Sequence, residues 1–292
     1  MMLDPPRGAD ESPADYEARV HALSTLHRSP MSEGEMAWHC WGSPDKPPLL
    51  LLHGGFGSWR HWILNVVPLS RHFQVYCADL PGLGDSDKLP GEYTADNIAA
   101  EVLHSIDGLL GPDARFHLVG FSFGGITGSH VAALAGDRVK RFVAVAPGAL
   151  GLPSDFPQLV SLGAKRDPEH VARVHRTNLG ILMINDDSRN DDLALHLQFE
   201  TVRRARSRSG KIPFTDRAAQ ALARCTCPIA GVWGEKDIIA RDHMPTRVDL
   251  FRGIQPDCPF EVIEGAGHWV MYESPERFNE VVLKMLDQGE HR

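Results

Sequence analysis

No stretch of this chain approaches the ~20 consecutive apolar residues that a membrane-spanning helix needs, so a spanning protein is not expected. Positive charge is short: 30 Lys and Arg stand against 38 Asp and Glu, a formal net charge of -8. That balance argues against a nucleic-acid footprint and against general attraction to an anionic membrane. Cysteine is sparse. The five residues Cys40, Cys77, Cys225, Cys227 and Cys258 are scattered and odd in number. Cys225-Thr226-Cys227 lacks the two-residue gap of zinc or redox pairs, so free thiols in a reducing cytoplasm are expected. Met1 to Pro13 carries Asp4, Asp10 and Glu11 and no hydrophobic segment, so no leader peptide is read there. Metal-ligand clusters are missing. Gly82-Leu83-Gly84 lacks the third glycine and the strand–turn–helix setting of a dinucleotide site. No metal and no cofactor are therefore expected, and internal repeats and low-complexity tracts are also absent.

What remains is the composition of an ordinary soluble globular protein: 42% apolar and 23% charged residues in 292. That length suits one α/β domain with an insertion. Leu49-Leu50-Leu51-Leu52 is a continuous apolar run, as in a parallel strand buried on both faces. Further strands are expected at Trp38 to Trp41, Gln74 to Ala78, Phe116 to Val119, Phe142 to Ala146, Ile229 to Trp233 and Phe260 to Ile263. Helical stretches lie between them. One starts at Thr94 as N-cap and puts Ile98, Val102, Ile106 and Leu109 on one face. The last runs from about Pro275. Alternating strands and helices imply an α/β fold, with a mostly parallel sheet covered by helices on both faces.

Two segments depart from this rhythm. Pro13 to Ser29 reads as an amphipathic helix with Tyr16, Val20, Leu23 and Leu26 near one face, so 1–35 is expected to be a helical N-terminal extension. The stretch 148–223 shows no buried strand and has helical segments at Pro168 to Leu182, Asp191 to Arg206 and Thr215 to Ala223. It reads as a helical cap inserted into a core formed by 36–147 and 224–292, over the C-terminal ends of the strands.

Gly120-Phe121-Ser122-Phe123-Gly124 is the most informative segment. It follows the strand Phe116 to Val119 and leads into a helix rich in small residues. That is the setting of a nucleophile elbow. Ser122 sits at the tip of a sharp turn, and side chains two positions away would collide with the crossing strand and helix. The N–H after the serine lies at a helix start, where negative charge is stabilised.

Five segments follow in order: His53-Gly54-Gly55-Phe56-Gly57, Asp79 to Ser86, Gly120 to Gly124, Gly234-Glu235-Lys236-Asp237, and Gly265-Ala266-Gly267-His268-Trp269. From about Met36 to Leu286, outside the cap, the chain resembles the α/β-hydrolase superfamily. The resemblance implies that Ser122 is the nucleophile, His268 the general base and then acid, and Asp237 the group that orients the imidazole. Glu235 and Asp242 are neighbouring carboxylates. In some members the acid instead follows the strand corresponding to Phe142 to Ala146, where the next acid here is Asp155. The oxyanion hole is expected from the backbone N–H groups of Phe123 and of Gly55, with Phe56 the alternative. His53 is read as a brace for its loop, and Asp79 as a partner of loop backbone.

The implied activity is cofactor-independent hydrolysis of a small or medium carboxylic ester, a small-molecule substrate. Trp269 after His268, and the cap placement, are similar to hydrolases that cleave carbon–carbon bonds in ring-fission products. Those carry asparagine before the nucleophile, where this chain has Phe121, and an arginine on the cap, for which Arg203, Arg204 and Arg206 are candidates. Substrate contact is expected at Phe56, Phe121, Trp269 and Arg203. A third reading, from another class, is a slow-turnover ligand-binding receptor on the same fold. The cap or N-terminal helix offers a surface for a homodimer.

Overall fold

The computed structural model describes residues 7, 8 and 10 to 287, so residues 1–6, on which part of the leader reading rested, lie outside the described residues. The strands are β1 (Thr25–Pro30), β2 (Glu35–Trp41), β3 (Pro48–Leu52), β4 (Gln74–Ala78), β5 (Phe116–Phe121), β6 (Val139–Val145), β7 (Ile229–Gly234) and β8 (Phe260–Ile263). They form one sheet in the order β1-β2-β4-β3-β5-β6-β7-β8. β1, β2 and β4 pair antiparallel, and every later neighbour pairs parallel.

The apolar run of β3 shows why the sheet needs cover on both sides. Leu50 and Leu52 enter one core cluster, while Leu49 and Leu51 enter the other. On the first face lie α3 (Ala95–Leu110), α4 (Phe123–Ala135) and α8 (Met244–Ile254), through Ile98, Val102, Ile126, Val131 and Phe251. On the second lie α1 (Pro13–Ala22), α2 (Val66–Ser70) and α10 (Pro275–Asp287), through Tyr16, Val20, Leu69, Phe278 and Val282. The α3 start follows its sequence signal: the Thr94 hydroxyl accepts the Asn97 N–H at 3.2 Å, a cap worth about 1 kcal/mol.

The N-terminal segment is a correction. Its helix stops at Ala22, and Thr25–Pro30 is an edge strand rather than more helix. Thr25 stands opposite Cys40 and Pro30 opposite Glu35. Leu23 and Leu26, which extended the apolar face on paper, are 52% and 46% exposed. The ladder to β2 outweighs a weak local helical pattern.

Helices α5 (Pro168–Asn178), α6 (Asp192–Arg204) and α7 (Arg217–Leu222) lie between β6 and β7, and α5 continues into a π-helical turn, Leu179–Met183. This inserted segment meets the loops at the C-terminal ends of the parallel strands. Arg206 N–H donates to Gly82 O at 2.8 Å, and Trp269 N–H donates to Met183 O at 2.7 Å. The remaining helix, α9 (Val270–Glu273), follows β8. No described helix is long and apolar enough to cross a membrane.

Candidate active site

β5 ends at Phe121 and α4 begins at Phe123, so Ser122 alone makes the turn between strand and helix. Its φ of 51° and ψ of -110° are unfavourable for a residue with a side chain, a cost on the order of 1–3 kcal/mol. The flanking glycines are required by close approach. A Cβ on Gly120 would lie 2.3 Å from Gly124 O, and one on Gly124 would lie 2.3 Å from Leu52 O. Among the described residues the other non-glycine residues with positive φ are Phe56, Ala146 and Ala149. Ala146 and Ala149 line the same cavity as Ser122, so backbone strain collects around one site.

Three side chains from three loops meet there. His268 Nε2 lies 3.1 Å from Ser122 Oγ, and His268 Nδ1 lies 2.8 Å from Asp237 Oδ2. His268 follows β8, and Asp237 follows β7. Both are nearly fully buried, and the other Asp237 oxygen accepts the Ile239 N–H at 3.0 Å. The alternative carboxylates are engaged elsewhere. Glu235 accepts the Gly265 N–H, Asp242 pairs with Arg241, and Asp155 pairs with His243.

The loop after β3 approaches from the other side. Gly54 N–H donates to His61 Nδ1 at 3.2 Å, and Gly57 N–H donates to Gly54 O at 3.1 Å. A Cβ on Gly55 would stand 3.9 Å from the Phe123 Cβ, so these two residues are neighbours across the site. As the first residue of α4, Phe123 has an N–H with no acceptor inside the helix. His53 braces the loop as expected: its Nε2 accepts the Leu80 N–H at 2.9 Å, and its Nδ1 donates to Gly54 O at 2.7 Å.

His61 has no counterpart among the sequence-derived candidates. Burial holds its imidazole well below the ordinary 6.5, and the charges of His53 and His268 act the same way. It is the neutral ring that can accept from Gly54. Burial also lowers His21, His53, His130 and His175. The unfolded chain, with histidines near 6.5, binds more protons than the folded one below that pH. This part of the stability is complete above about pH 6.5 and is lost as pH falls. Glu273, raised by burial, acts oppositely. Thermal melts are expected to drop on the order of 5 °C between pH 7.5 and 5.5; an unchanged midpoint would contradict this reading.

Asp79 meets its expected role. Oδ1 accepts the Trp59 N–H at 2.9 Å, and Oδ2 accepts the Asp85 N–H at 2.8 Å. Burial alone would raise this carboxyl, but the bond from His39 and the neighbouring imidazole charges bring it to about 2. Among the described residues His39, Asp79 and Asp85 are the one grouping that brings three metal-capable side chains together. His39 Nε2 already lies 3.4 Å from Asp79 Oδ2, and Arg204 holds Asp85 at 2.6 Å. The cluster therefore reads as a polar network that braces residues 79–86.

A cavity of about 330 Å³ opens beside Ser122 and His268. Its walls include Ala146 to Leu152, Phe156, Pro213, Phe214, Trp233 and Ile239. Phe156 and Phe214 meet edge to face at 5.4 Å between ring centres and are 46% and 62% exposed. They form the outer wall. Arg247 is the one arginine in the lining, and its amino groups donate to His243 O, Pro153 O and Ile239 O.

The expected substrate contacts need correction. Phe121 is buried, on the face of β5 that joins Trp62 in the second core cluster, with its ring centre 5.0 Å from that of His268. Trp269 is buried, donates its indole N–H to His61 O at 3.0 Å and stacks on Tyr272. Both support the site from behind. Phe56 is exposed and is not part of the cavity wall. Arg203 forms a surface pair with Glu200, three residues back on α6, as i,i+3 spacing favours. Arg204 holds Asp85, and Arg206 donates to Ser86 O.

The sequence profile of the alpha/beta hydrolase family matches residues 49–281. A 2-hydroxy-6-oxononadienedioate/2-hydroxy-6-oxononatrienedioate hydrolase of Paraburkholderia phymatum is 28% identical over 262 residues, covering 83% of this chain and 88% of its own. Carboxylesterase YbfK of Bacillus subtilis is 29% identical over 264 residues, covering 85% of this chain and 83% of its own. The crystal structure of that B. subtilis esterase superposes with a TM-score of 0.76 at 22% identity, over 94% of this chain and 96% of the other.

Proposed function

The chain belongs to the alpha/beta hydrolase family, and from that premise we propose a cofactor-independent serine hydrolase that cleaves a small or medium carboxylic ester. One observation carries this reading: Ser122, His268 and Asp237 form one hydrogen-bonded chain, and all three line one cavity. Ser122 Oγ attacks the ester carbonyl while His268 Nε2 takes its proton. The N–H groups of Phe123 and Gly55 hold the oxyanion. Asp237 holds the Nδ1 proton and stabilises the imidazolium. The C–O bond breaks, and His268 returns the proton to the departing alcohol. A water, deprotonated by His268, then attacks the acyl-serine, frees the acid and restores Ser122.

The cavity volume lies near the lower end for small-molecule sites, which supports a compact substrate. The inserted segment serves as a cap, with Phe156 and Phe214 at the mouth. The carbon–carbon reading needs cationic partners for a dioate such as the P. phymatum relative's name prints. The Arg247 amino groups already serve three backbone carbonyls, and Arg203 pairs with Glu200. These observations favour the ester.

Initial rates on p-nitrophenyl acetate, butyrate, hexanoate and octanoate test the proposal beside a ring-fission dienol. The esters are expected to turn over at ~1 per second or faster, with kcat/KM above that for the dienol. Bleaching of the dienol with the higher kcat/KM would transfer the proposal to carbon–carbon cleavage. Turnover far below that rate on all of them would support the receptor reading. Phe214→Ala is expected to cost about tenfold in kcat/KM on hexanoate, from lost apolar burial, and little on acetate. An equal loss on both would take Phe214 out of the acyl wall.

A further inference from the structure

Glu273 closes α9 and is only 8% exposed, yet backbone N–H groups rather than a cationic side chain receive its carboxylate. Oε1 accepts the N–H of Asn185 at 2.8 Å and of Asp186 at 2.9 Å. Oε2 accepts the N–H of Gly267 at 2.6 Å. The first two donors belong to the inserted segment, just after its π-helical turn. The third belongs to the residue directly before His268. A buried carboxylate with three such donors makes short, charge-assisted bonds that hold both segments at once.

The contact is also tight. A Cβ on Gly267 would lie 2.7 Å from Glu273 Oε2 and 2.9 Å from Asn185 N, so three pieces of chain meet with no room for a methyl group. Further bonds run between the same two segments. Asn185 Nδ2 donates to Gly265 O at 3.1 Å, Arg189 donates to Tyr272 O at 2.6 Å, and the Tyr272 hydroxyl donates to Asp191 at 2.6 Å. Glu273 is the one side chain among these that binds the backbone of both.

We propose that Glu273 is a positioning residue that locks the cap to the histidine loop, so that seating of the cap sets the reach of His268 Nε2 to Ser122 Oγ. The proposal rests on the triad reading given above. Nothing in the reaction sequence requires Glu273 to touch substrate. Its part is to couple the inserted segment, at Asn185 and Asp186, to the loop that carries the base, and a small displacement of a base is costly in rate.

The test is the rate constant of acylation by p-nitrophenyl butyrate, expressed per titrated active site, in the native protein, Glu273→Gln and Gly267→Ala, beside KM and Tm. In Glu273→Gln the amide oxygen can keep the two cap donors, while the amide N–H groups face the Gly267 N–H, so only the bond to the histidine loop is lost. Acylation is expected to fall on the order of tenfold with KM within about twofold of native. Gly267→Ala, which wedges the same contact, is expected to lose on the order of a hundredfold. If the alanine variant does not fold, the glutamine variant carries the test alone. A lower Tm with acylation per site unchanged would overturn the proposal and leave Glu273 a purely structural group. Steady turnover by the native protein that persists in Ser122→Ala would overturn the triad reading itself, and this inference with it.

Discussion

Ser122→Ala is expected to abolish turnover of every ester the native protein cleaves, a loss on the order of 10⁶ in kcat. The hydroxyl lies within hydrogen-bond reach of the base, His268, its side-chain partner. Nothing else in the elbow changes. Alanine takes over the same backbone angles, Ser122 N–H still donates to Val145 O, and Ser122 O still accepts from Gly125 and Ile126. The melting temperature is expected to stay within about 3 °C of native, because no cavity or buried unpaired charge is made. Steady-state rates and a thermal melt on the same preparation check this. Full activity in the alanine variant would remove Ser122 from the chemistry.

Asp237→Asn is expected to cost about 10⁴-fold in kcat with little change in stability. The reason lies in both carboxylate oxygens. One accepts from Ile239 N–H and the other from His268 Nδ1. An asparagine that keeps the Ile239 bond must turn its NH₂ toward the imidazole. His268 then accepts at Nδ1 and carries its proton at Nε2, where it cannot take the proton of Ser122. The flipped amide restores the histidine tautomer but points its NH₂ at the Ile239 N–H. A loss of less than tenfold would show that Asp237 does not orient the base.

The parts of the site that depend on backbone geometry were legible in the sequence. Gly120 and Gly124 are forced by contacts of 2.3 Å with backbone oxygen, so no other residue type fits, and the pattern shows in one line of text. Leu49 to Leu52 announce a strand buried on both faces because each neighbour supplies a different core. The pocket wall is another matter. Phe156 and Phe214 lie far apart in the chain and meet only through the packing of the inserted segment. No local period or cap marks them.

Other residues are set by neighbours and chain geometry that the sequence does not display. The charge of Arg203 suggests a substrate contact, but Glu200 one turn earlier already pairs with it. Phe121 and Trp269 flank catalytic candidates in sequence, yet strand and turn geometry sends both side chains into the core. His61 and Glu273 lay close to motifs already singled out, four residues after Gly57 and five after His268. Their partners are backbone N–H groups, which no sequence displays. The edge strand β1 was missed because its partner, β2, lies beyond any local window.

The most direct test of the account is stopped-flow release of p-nitrophenol from p-nitrophenyl butyrate, with the native protein and Ser122→Ala at matched concentration. A burst of one equivalent per active site followed by steady turnover is expected in the native protein, and neither phase in the variant. Steady turnover by the native protein that persists in Ser122→Ala would contradict it.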